Sequence, residues 1–476
     1  MTLNSQRTKI VATIGPKTAN QNTLKKMYFA GMSVARLNGS HNTLIWHKNT
    51  IKLIKKCIPD CPILLDIPGK KIRTAKLEYE PIFNIGDQLI ISTEEGHNGK
   101  KKISITNNQL HNFLKKGDIV FADDGTLKFT VKKIIKKDIY LIANTKGKLK
   151  SSKGINVPHV SLGGELVTTR DKKMIKFAVE NKVDFIGLSF IESGKHLRKI
   201  RSIIKGSIPK IVAKVENQAG INNLEEIIEQ TDCVMIDRGD LSTETNIETL
   251  AINQKKIIKA SLRASKPVIV ATEMLDNMIL NPYPTKAEVL DISNSILDGA
   301  TATMLSGETA VGNYPLDALK VMSKIANSTI NHKDLFNFNN STTNNKLEDG
   351  TAIAIRNLCL YLPITKIVAI TVSGFAARII SSQMIPQPIL AVSNNKDLAR
   401  GFNIFAGSKG IFYNTKFYKN SLEHIPKCIN YLYKIKEITA KDMILVTALG
   451  YPSLGRRMNL IQTHYVKDLI KTFSWK

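Results

Sequence analysis

A lysine and a carboxylate stand two residues apart in the apolar stretch KIVAKVEN, residues 210–217. Side chains alternate between the two faces of a β-strand, so Lys214 and Glu216 are predicted to share one face. A buried strand rarely carries such charges, because removing an ion from water is costly. Two interpretations are open. Either the two side chains form a structural ion pair, or a charged ligand lies between them.

Most of the other apolar runs also end in polar side chains. In chain order these residues are Thr13 and Pro16; Arg36, Asn38, Ser40 and His41; Asp66 and Arg73; Ser189; Arg238, Gly239 and Asp240; Thr272 and Glu273; and Ser306 and Glu308. Each one alone fits an ordinary residue at the rim of a sheet. Together they bring cations and carboxylates to the ends of most strands, which predicts a site for an anion held together with a divalent cation.

Eight short apolar runs, each followed by a segment of helical length, must position these residues. The runs are KIVATI (9–14), SVARLN (33–38), ILLDI (63–67), FIGLSF (185–190), KIVAKVE (210–216), CVMIDRGDL (233–241), VIVATEML (268–275) and ATMLS (302–306). Strands this apolar indicate a parallel sheet covered by helices. Eight strand–helix units predict an α/β fold, the (β/α)8 TIM barrel, with its functional side chains at the carboxyl ends of the strands.

The third unit of this barrel is interrupted by short β-like pieces with turns between them. We therefore predict a barrel formed by residues 1–69 and 168–345, with an all-β lid, residues 70–167, inserted after the third strand. A polar, Asn-rich stretch at 336–350 is typical of a linker. The alternation of strands and helices resumes beyond it and predicts a C-terminal α/β domain at 346–476.

The composition indicates a soluble globular protein of 476 residues with a net charge of +28. The basic residues are spread along the chain without an arginine-rich tract, so a nucleic-acid partner stays open but disfavoured. No run approaches the roughly 18 apolar residues of a membrane span, and the N-terminal segment lacks the pattern of a signal peptide. We expect a cytoplasmic protein whose five scattered cysteines are free thiols.

The chain resembles the pyruvate kinase family over nearly its whole length. The segments that carry the resemblance are RTKIVATIGP, GMSVARLNGSH, KGIN, KIVAKVEN, RGDL, NPYPTKAEVLDISNSILDG and MLSGETAVGNYPLDAL, which stand in the family's order. The resemblance implies transfer of a phosphoryl group from phosphoenolpyruvate to ADP, giving pyruvate and ATP. It also implies Mg²⁺ or Mn²⁺ as cofactor, a β lid, a C-terminal α/β domain and a homotetramer.

The resemblance also implies roles for individual residues. Glu216 and Asp240 would hold the divalent ion, and Lys214, Arg36 and Thr272 would be catalytic. The substrate would be bound by Arg36, Ser189, Lys214, Arg238, Gly239, Asp240 and Thr272, with the backbone N–H groups of Arg238 and Gly239 facing it. The nucleotide would be bound by Pro16, His41, Arg73 and Lys153, of which Lys153 belongs to the lid.

One segment departs from the family where relatives hold a monovalent cation. Potassium-dependent members read D-T-K-G-P-E-I-R, whereas this chain reads DIPGKKIR at 66–73. Asn38, Ser40 and Asp66 match the cation positions, but Ile67 replaces the threonine and Lys71 the glutamate. The ammonium group of Lys71 would supply the charge that K⁺ otherwise brings, so we predict an enzyme that does not require K⁺.

Three further departures add negative charge near a site for anions. Glu192 stands where an arginine is common, Asp237 replaces the alanine of A-R-G-D, and Glu273 replaces a glutamine. They keep open a catalytically weakened or non-catalytic relative. A metal-dependent lyase of the phosphoenolpyruvate/pyruvate group is a further alternative, disfavoured by the lid and the C-terminal domain.

Overall fold

A computed structural model describes residues 6–123, 125–158, 160, 166–332, 347–417, 421–450 and 458–475. The predicted linker at 336–350 lies largely outside the described residues. Among the described helices, none is both long and apolar enough to cross a membrane. All five cysteines are free thiols.

The strands are numbered in chain order over the described residues. Strands β1–β22 are Lys9–Thr13, Val34–Asn38, Ile63–Ile67, Ile72–Arg73, Ile82–Phe83, Gln88–Ser92, Ile103–Ser104, Ile119–Ala122, Leu127–Ile135, Asp138–Ala143, Gly147–Lys148, Gly154–Asn156, Phe185–Leu188, Lys210–Lys214, Cys233–Asp237, Val268–Ala271, Ala302–Leu305, Lys366–Ile370, Ile389–Ser393, Ser408–Phe412, Met443–Ala448 and Leu460–Tyr465.

The helices are numbered in the same way. Helices α1–α16 are Gln21–Phe29, Leu44–Cys57, Thr169–Glu180, Gly194–Ile204, Gln218–Asn222, Leu224–Gln230, Arg238–Glu244, Leu250–Arg263, Lys286–Leu297, Gly307–Ala310, Pro315–Asn331, Leu347–Tyr361, Phe375–Ser382, Lys396–Gly401, His424–Lys434 and Val466–Phe473. Local sequence fixes where several of them begin. Thr168 and Asp171 form a capping box at the start of α3, and Thr285 and Glu288 form one at α9.

The predicted (β/α)8 barrel is confirmed. Eight parallel strands close on themselves in the order β1, β17, β16, β15, β14, β13, β3 and β2. Alternate residues of each strand enter different cores: Ile10 and Ala12 of β1 pack under the helices, whereas Val11 points into the barrel with Val34 and Leu64. A shift of register by one residue would exchange the two faces, so the apolar pattern fixes the register.

The β insertion follows the third barrel strand, as predicted. Its largest sheet has the order β4, β12, β8, β9, β10, β6 and β7, and β5 pairs with β11 separately. The first and last strands of the insertion pair with each other, with Arg73 opposite Gly154 and Ile72 opposite Ile155. The chain therefore leaves the barrel and returns to it through one two-stranded connection.

The C-terminal domain is an α/β unit with the sheet order β20, β19, β18, β21 and β22, of which β22 is antiparallel. It contacts the barrel at the end opposite the carboxyl ends of the strands. Arg400 Nε donates to Asp184 Oδ1 at 2.7 Å, and Lys9 Nζ donates to the Ser408 carbonyl oxygen at 2.7 Å. Lys9 begins β1, and Asp184 immediately precedes β13. This domain therefore lies at the amino ends of the strands and leaves their carboxyl ends uncovered. The exact domain boundaries stay predictions.

Candidate active site

A cleft of about 320 Å³ opens at the carboxyl ends of the barrel strands. It is lined by many of the predicted residues, namely Arg36, Asn38, Ser40, Asp66, Lys71, Arg73, Ser189, Lys214, Gly239, Asp240 and Thr272, and also by Asp237 and Glu273. Eight parallel strands that end on one side of a barrel bring residues from distant parts of the chain together. The cleft is therefore the candidate active site.

Lys214 lies at the centre of this site and is buried. Its Nζ donates to Ser189 Oγ at 3.0 Å and lies 2.9 Å from Asp237 Oδ2, 3.1 Å from Glu216 Oε2 and 3.8 Å from Asp66 Oδ2. Burial alone would lower the pKa of Lys214, but the surrounding carboxylates, Asp237 first, raise it well above its ordinary value. The site thus holds a permanent positive charge that faces three carboxylates.

The opening interpretation of KIVAKVEN needs one correction. Strand β14 ends at Lys214, so Glu216 lies beyond the strand and does not share its face by strand alternation. The backbone N–H of Phe190 donates to Glu216 Oε1 at 2.8 Å and holds the side chain in place. The two charges meet as predicted, but Glu216 reaches Lys214 from a loop and not from the strand. Burial raises the pKa of Glu216 to about 8, although the Lys214 ammonium acts in the opposite direction.

Three carboxylates lie together beside Lys214. One oxygen each from Glu216, Asp237 and Asp240 lies within 4.8 Å of the others, and all three residues are buried. Burial raises the pKa of Asp240, and Lys71 opposes this effect. Burial also disfavours ionisation of Asp237, but the positive charges of Lys214, Lys71 and Arg36 together outweigh it and lower the pKa of Asp237 to about 2.

These residues fit a divalent cation by the chemistry of their donors. Carboxylate oxygens are the ligands that Mg²⁺ prefers in proteins. Glu216 is fully buried, and its Oε2 accepts no hydrogen bond from the described part of the chain despite its nearness to Lys214. Glu216 and Asp240, predicted as metal ligands, are therefore brought together, and Asp237 joins them.

Arg36 lies buried between strand ends and is held by a carboxylate. Its Nε and Nη2 donate to Asp66 Oδ2 at 3.0 and 2.7 Å, and Nη1 donates to Thr13 Oγ1 at 2.9 Å. The guanidinium group thus has a fixed position at the cleft wall. A fixed guanidinium group suits phosphate oxygens.

Lys71 reaches the carboxylates across a long stretch of sequence. Its Nζ donates to Asp240 Oδ1 at 2.5 Å. Burial would lower the pKa of Lys71, but Asp240, Asp237 and Glu216 together raise it. The positive charge predicted for Lys71 is present in the site, but its contact is with a predicted metal ligand.

The predicted monovalent-cation residues Asn38, Ser40 and Asp66 line the same cleft as Arg36. The backbone N–H of Ser40 donates to Asn38 Oδ1 at 3.0 Å, and Asp66 is engaged by Arg36. Ile67 is fully buried and offers no side-chain oxygen. A monovalent cation would therefore find fewer oxygen ligands here than the family pattern provides.

Arg238 was predicted to face the substrate through its backbone N–H, and its side chain has a separate set of contacts. Its guanidinium group points away from the cleft: Nη1 donates to Asp291 Oδ2 at 2.6 Å, and Nη2 donates to the carbonyl oxygens of Thr272 and Glu273 at 2.7 and 2.9 Å. The run CVMIDRGDL was predicted as one strand, but β15 ends at Asp237 and α7 begins at Arg238. The start of this helix turns the side chain outward. The predicted role of its backbone N–H stays a prediction.

Thr272 and Glu273 adopt backbone angles that side-chain-bearing residues seldom use. Their φ angles are +68° and +53°, and the carbonyl contacts of Arg238 hold this turn. Thr272 Oγ1 accepts from the N–H of Gly239 at 2.9 Å and contacts Asp237 Oδ1 at 3.2 Å. Thr272 is thus directed into the site, and the Gly239 N–H predicted to face a substrate is occupied by Thr272.

Of the four predicted nucleotide residues, Arg73 lines the cleft. Pro16 and His41 are exposed. Arg73 Nη1 donates to the Ser152 carbonyl oxygen at 2.8 Å, and Lys153 Nζ lies 2.6 Å from Asp123 Oδ1 in the insertion. The pKa of His41 is lowered by partial burial and by the positive charges of Arg73 and Arg36. These four roles stay predictions.

Two of the three added carboxylates have little influence on the centre of the site. Glu273 is exposed, and Glu192 lies in the neighbouring cleft that Lys70 and Lys71 line. Asp237 is the one that is buried against Lys214.

The loop TVSGFAAR (371–378) in the C-terminal domain is closed internally, since the Gly374 N–H donates to Thr371 Oγ1 at 3.1 Å.

The insertion is tied to the barrel next to the site. Asn156 Nδ2 donates to Glu244 Oε1 at 2.8 Å, and Glu244 lies one helical turn after Asp240 on α7. Burial raises the pKa of Glu244 to about 7, although the hydrogen bond from Asn156 acts in the opposite direction. Sequence patterns gave no signal for this pair, because its members are 88 residues apart.

Glu244→Gln is expected to flatten the pH dependence of stability. Because the folded-state pKa is raised, Glu244 contributes stability below its ordinary pKa, and this contribution is lost as the pH rises through about 7. At pH 8 the free energy of unfolding of Glu244→Gln should exceed that of the unmodified protein by at most about 3 kcal/mol. Thermal unfolding from pH 4.5 to 8.5 measures this difference. Glu248→Gln, an exposed neighbour, is the control, and identical pH profiles for both variants would contradict the prediction.

Comparison with known proteins agrees with this arrangement. The family profile described as pyruvate kinase, barrel domain, matches residues 5–319, and the one described as pyruvate kinase, alpha/beta domain, matches residues 349–463. Similar proteins include a pyruvate kinase of Bacillus licheniformis, 35% identical over 98% of this chain and 81% of the relative. Those of Thermococcus litoralis and Clostridium perfringens are 34% and 35% identical over 94% of this chain, and over 94% and 97% of their own lengths. With its barrel, its insertion and its central lysine in place, the chain belongs to the pyruvate kinase family.

Proposed function

We propose that this chain transfers the phosphoryl group of phosphoenolpyruvate to ADP and gives pyruvate and ATP. It is a phosphotransferase by family membership. The observation that carries the proposal is the position of Lys214, a buried and protonated ammonium group between Ser189 and three carboxylates. Phosphoryl transfer depends on positioning and charge neutralisation more than on covalent chemistry, and such a group supplies both.

The side chains divide the work of this reaction. The ammonium group of Lys214 would neutralise the phosphoryl oxygens in transit, and Arg36, fixed by Asp66, would hold the phosphate. Among these three residues, Thr272 has a hydroxyl group, which could relay a proton. It would lie at the carbon that is protonated after transfer. Burial in a narrow cleft strengthens each of these interactions.

A divalent cation, Mg²⁺ or Mn²⁺, completes this proposal. Glu216 and Asp240 would hold it, with their hard oxygen donors. When bound, the cation supplies positive charge against the oxygens of the phosphoryl group. Lys71 contacts Asp240, so it would share this carboxylate with the cation or withdraw from it.

We further propose that turnover does not require K⁺, because Lys71 already brings a positive charge into the site and Ile67 has no side-chain oxygen to bind a cation. Lys71→Glu should make turnover fall at least about tenfold when K⁺ is replaced by tetramethylammonium, an effect of roughly 1.4 kcal/mol. The unmodified protein should change by less than about twofold in the same comparison. Lys70→Glu is the matched control. If turnover of the unmodified protein itself collapses without K⁺, the proposal is wrong.

The reaction is tested by coupling pyruvate formation to NADH oxidation, with phosphoenolpyruvate, ADP and Mg²⁺ present and each omitted in turn. Turnover that needs all three supports the proposal. No turnover from folded protein would favour the non-catalytic alternative, in which the added carboxylate of Asp237 has disabled the site. A homotetramer and a cytoplasmic location also belong to this proposal and rest on the resemblance to the family, and a nucleic-acid partner is not proposed.

A further inference from the structure

Asp237 is a charged residue of the site that the family pattern does not account for. It is the last residue of β15 and is 6% exposed. Its neighbour Arg238 points away from the cleft, whereas Asp237 points into it. An added carboxylate at the edge of the site would be screened by solvent, but this one is not.

Asp237 contacts the main parts of the site at once. Its Oδ2 lies 2.9 Å from Lys214 Nζ, and its Oδ1 accepts from Thr272 Oγ1 at 3.2 Å. An oxygen of Asp237 also lies within 4.8 Å of oxygens of Glu216 and Asp240. The same carboxylate therefore faces the central lysine, the central threonine and both predicted metal ligands.

The charges around Asp237 leave a place for a cation. The ammonium groups of Lys214 and Lys71 face the carboxyl groups of Glu216, Asp237 and Asp240, so two basic side chains meet three acidic ones. A second observation points the same way: Glu216 Oε2 is fully buried and accepts no hydrogen bond within the described ranges. Its nearest cation is Lys214 Nζ, 3.1 Å away, and this buried oxygen, which has no hydrogen-bond donor in the described part of the chain, could accept a further cation.

We propose that Asp237 is the third carboxylate of the divalent-cation site and tightens cation binding in this chain. The proposal rests on the proposed function for the identity of the site, but it concerns cation affinity and not turnover. Carboxylate count is a main determinant of affinity for hard divalent cations, so a third carboxylate raises it. The same charge opposes an anionic substrate until the cation is bound. Binding of the cation before phosphoenolpyruvate is therefore favoured.

The rival explanation is that Asp237 only neutralises Lys214. In that case Asp237→Asn would free the ammonium group to pair more closely with Glu216, and any loss of cation affinity would come from Lys214. The two explanations separate in a Lys214→Met background, where the ammonium group of Lys214 is absent and cannot move.

The test measures Mn²⁺ binding by electron paramagnetic resonance on the full chain without substrates. Asp237→Asn should raise the Mn²⁺ dissociation constant at least about tenfold, and Asp237→Glu should restore most of the affinity. Glu273→Gln, which removes an exposed carboxylate of the same cleft, should change it less than about twofold. Thermal unfolding of each variant verifies that it is folded.

The loss of affinity in Asp237→Asn should persist when Lys214 is methionine. A dissociation constant that is unchanged by Asp237→Asn, or a loss that disappears in the Lys214→Met background, would overturn the proposal. Because these measurements need no turnover, they remain decisive if the protein proves to be a non-catalytic relative. Conversely, failure of the cation proposal leaves the assay of pyruvate formation unaffected.

Discussion

Lys214→Met is expected to lower turnover of phosphoenolpyruvate and ADP by at least about a thousandfold. The variant keeps the length of the side chain but removes the ammonium group that faces Ser189 and three carboxylates. The coupled assay of pyruvate formation measures the loss. Lys210→Met is the matched control, because Lys210 lies on the same strand at the opposite end and pairs with Asp232. Comparable losses in both variants would contradict a special role for Lys214.

The same variant should also be less stable. Removing one member of a buried ion pair leaves its partner uncompensated, at a cost of about 3–5 kcal/mol. Here Glu216 and Asp237 lose their nearest cation, so added Mn²⁺ should raise the melting temperature of Lys214→Met more than that of the unmodified protein. An equal increase in both proteins would show that removal of the Lys214 ammonium group does not strengthen cation binding, contrary to the prediction.

Arg238→Met is expected to lower kcat about a hundredfold while changing KM for phosphoenolpyruvate less than about threefold. The guanidinium group does not itself line the cleft, but it binds the carbonyl oxygens of Thr272 and Glu273, whose positive φ angles need such support. Its loss would let the turn relax and move the Thr272 hydroxyl. Stability should fall by about 2–4 kcal/mol, because two carbonyl oxygens and Asp291 lose their donor.

Steady-state kinetics and thermal unfolding measure these effects. The control is Arg263→Met on α8, whose side chain is exposed. A large rise in KM with an unchanged kcat would mean that the side chain of Arg238 contacts the substrate. The two outcomes distinguish a positioning residue from a substrate ligand.

Much of this site was predictable because the polar residues near the ends of apolar strands can be recognised in the sequence. Arg36, Asp66, Ser189 and Lys214 each follow or close such a run, and a parallel barrel collects strand ends on one side. The fold followed from the same pattern, since eight strand–helix units with a β insertion have few other solutions. Residues whose positions are set by their own strand alone line the cleft, as predicted.

Contacts that depend on a helix start or on distant residues were not predictable. The boundary between β15 and α7 falls inside the apolar run CVMIDRGDL, so the direction of Arg238 could not be inferred from alternation. The turn at Thr272 also follows from tertiary contacts, because β-branched residues disfavour positive φ. The partner of Lys71 is 169 residues away, and no local pattern indicates it.

The paired strands β4 and β12 connect the insertion to the barrel. Lys71 immediately precedes β4, so a rotation of the insertion about this connection carries the ammonium group with it. In this structure Lys71 offsets the charge of Asp240. A rotation of the insertion away from the barrel would leave the carboxylates facing one cation fewer, so the position of the insertion would set the electric potential in the cleft.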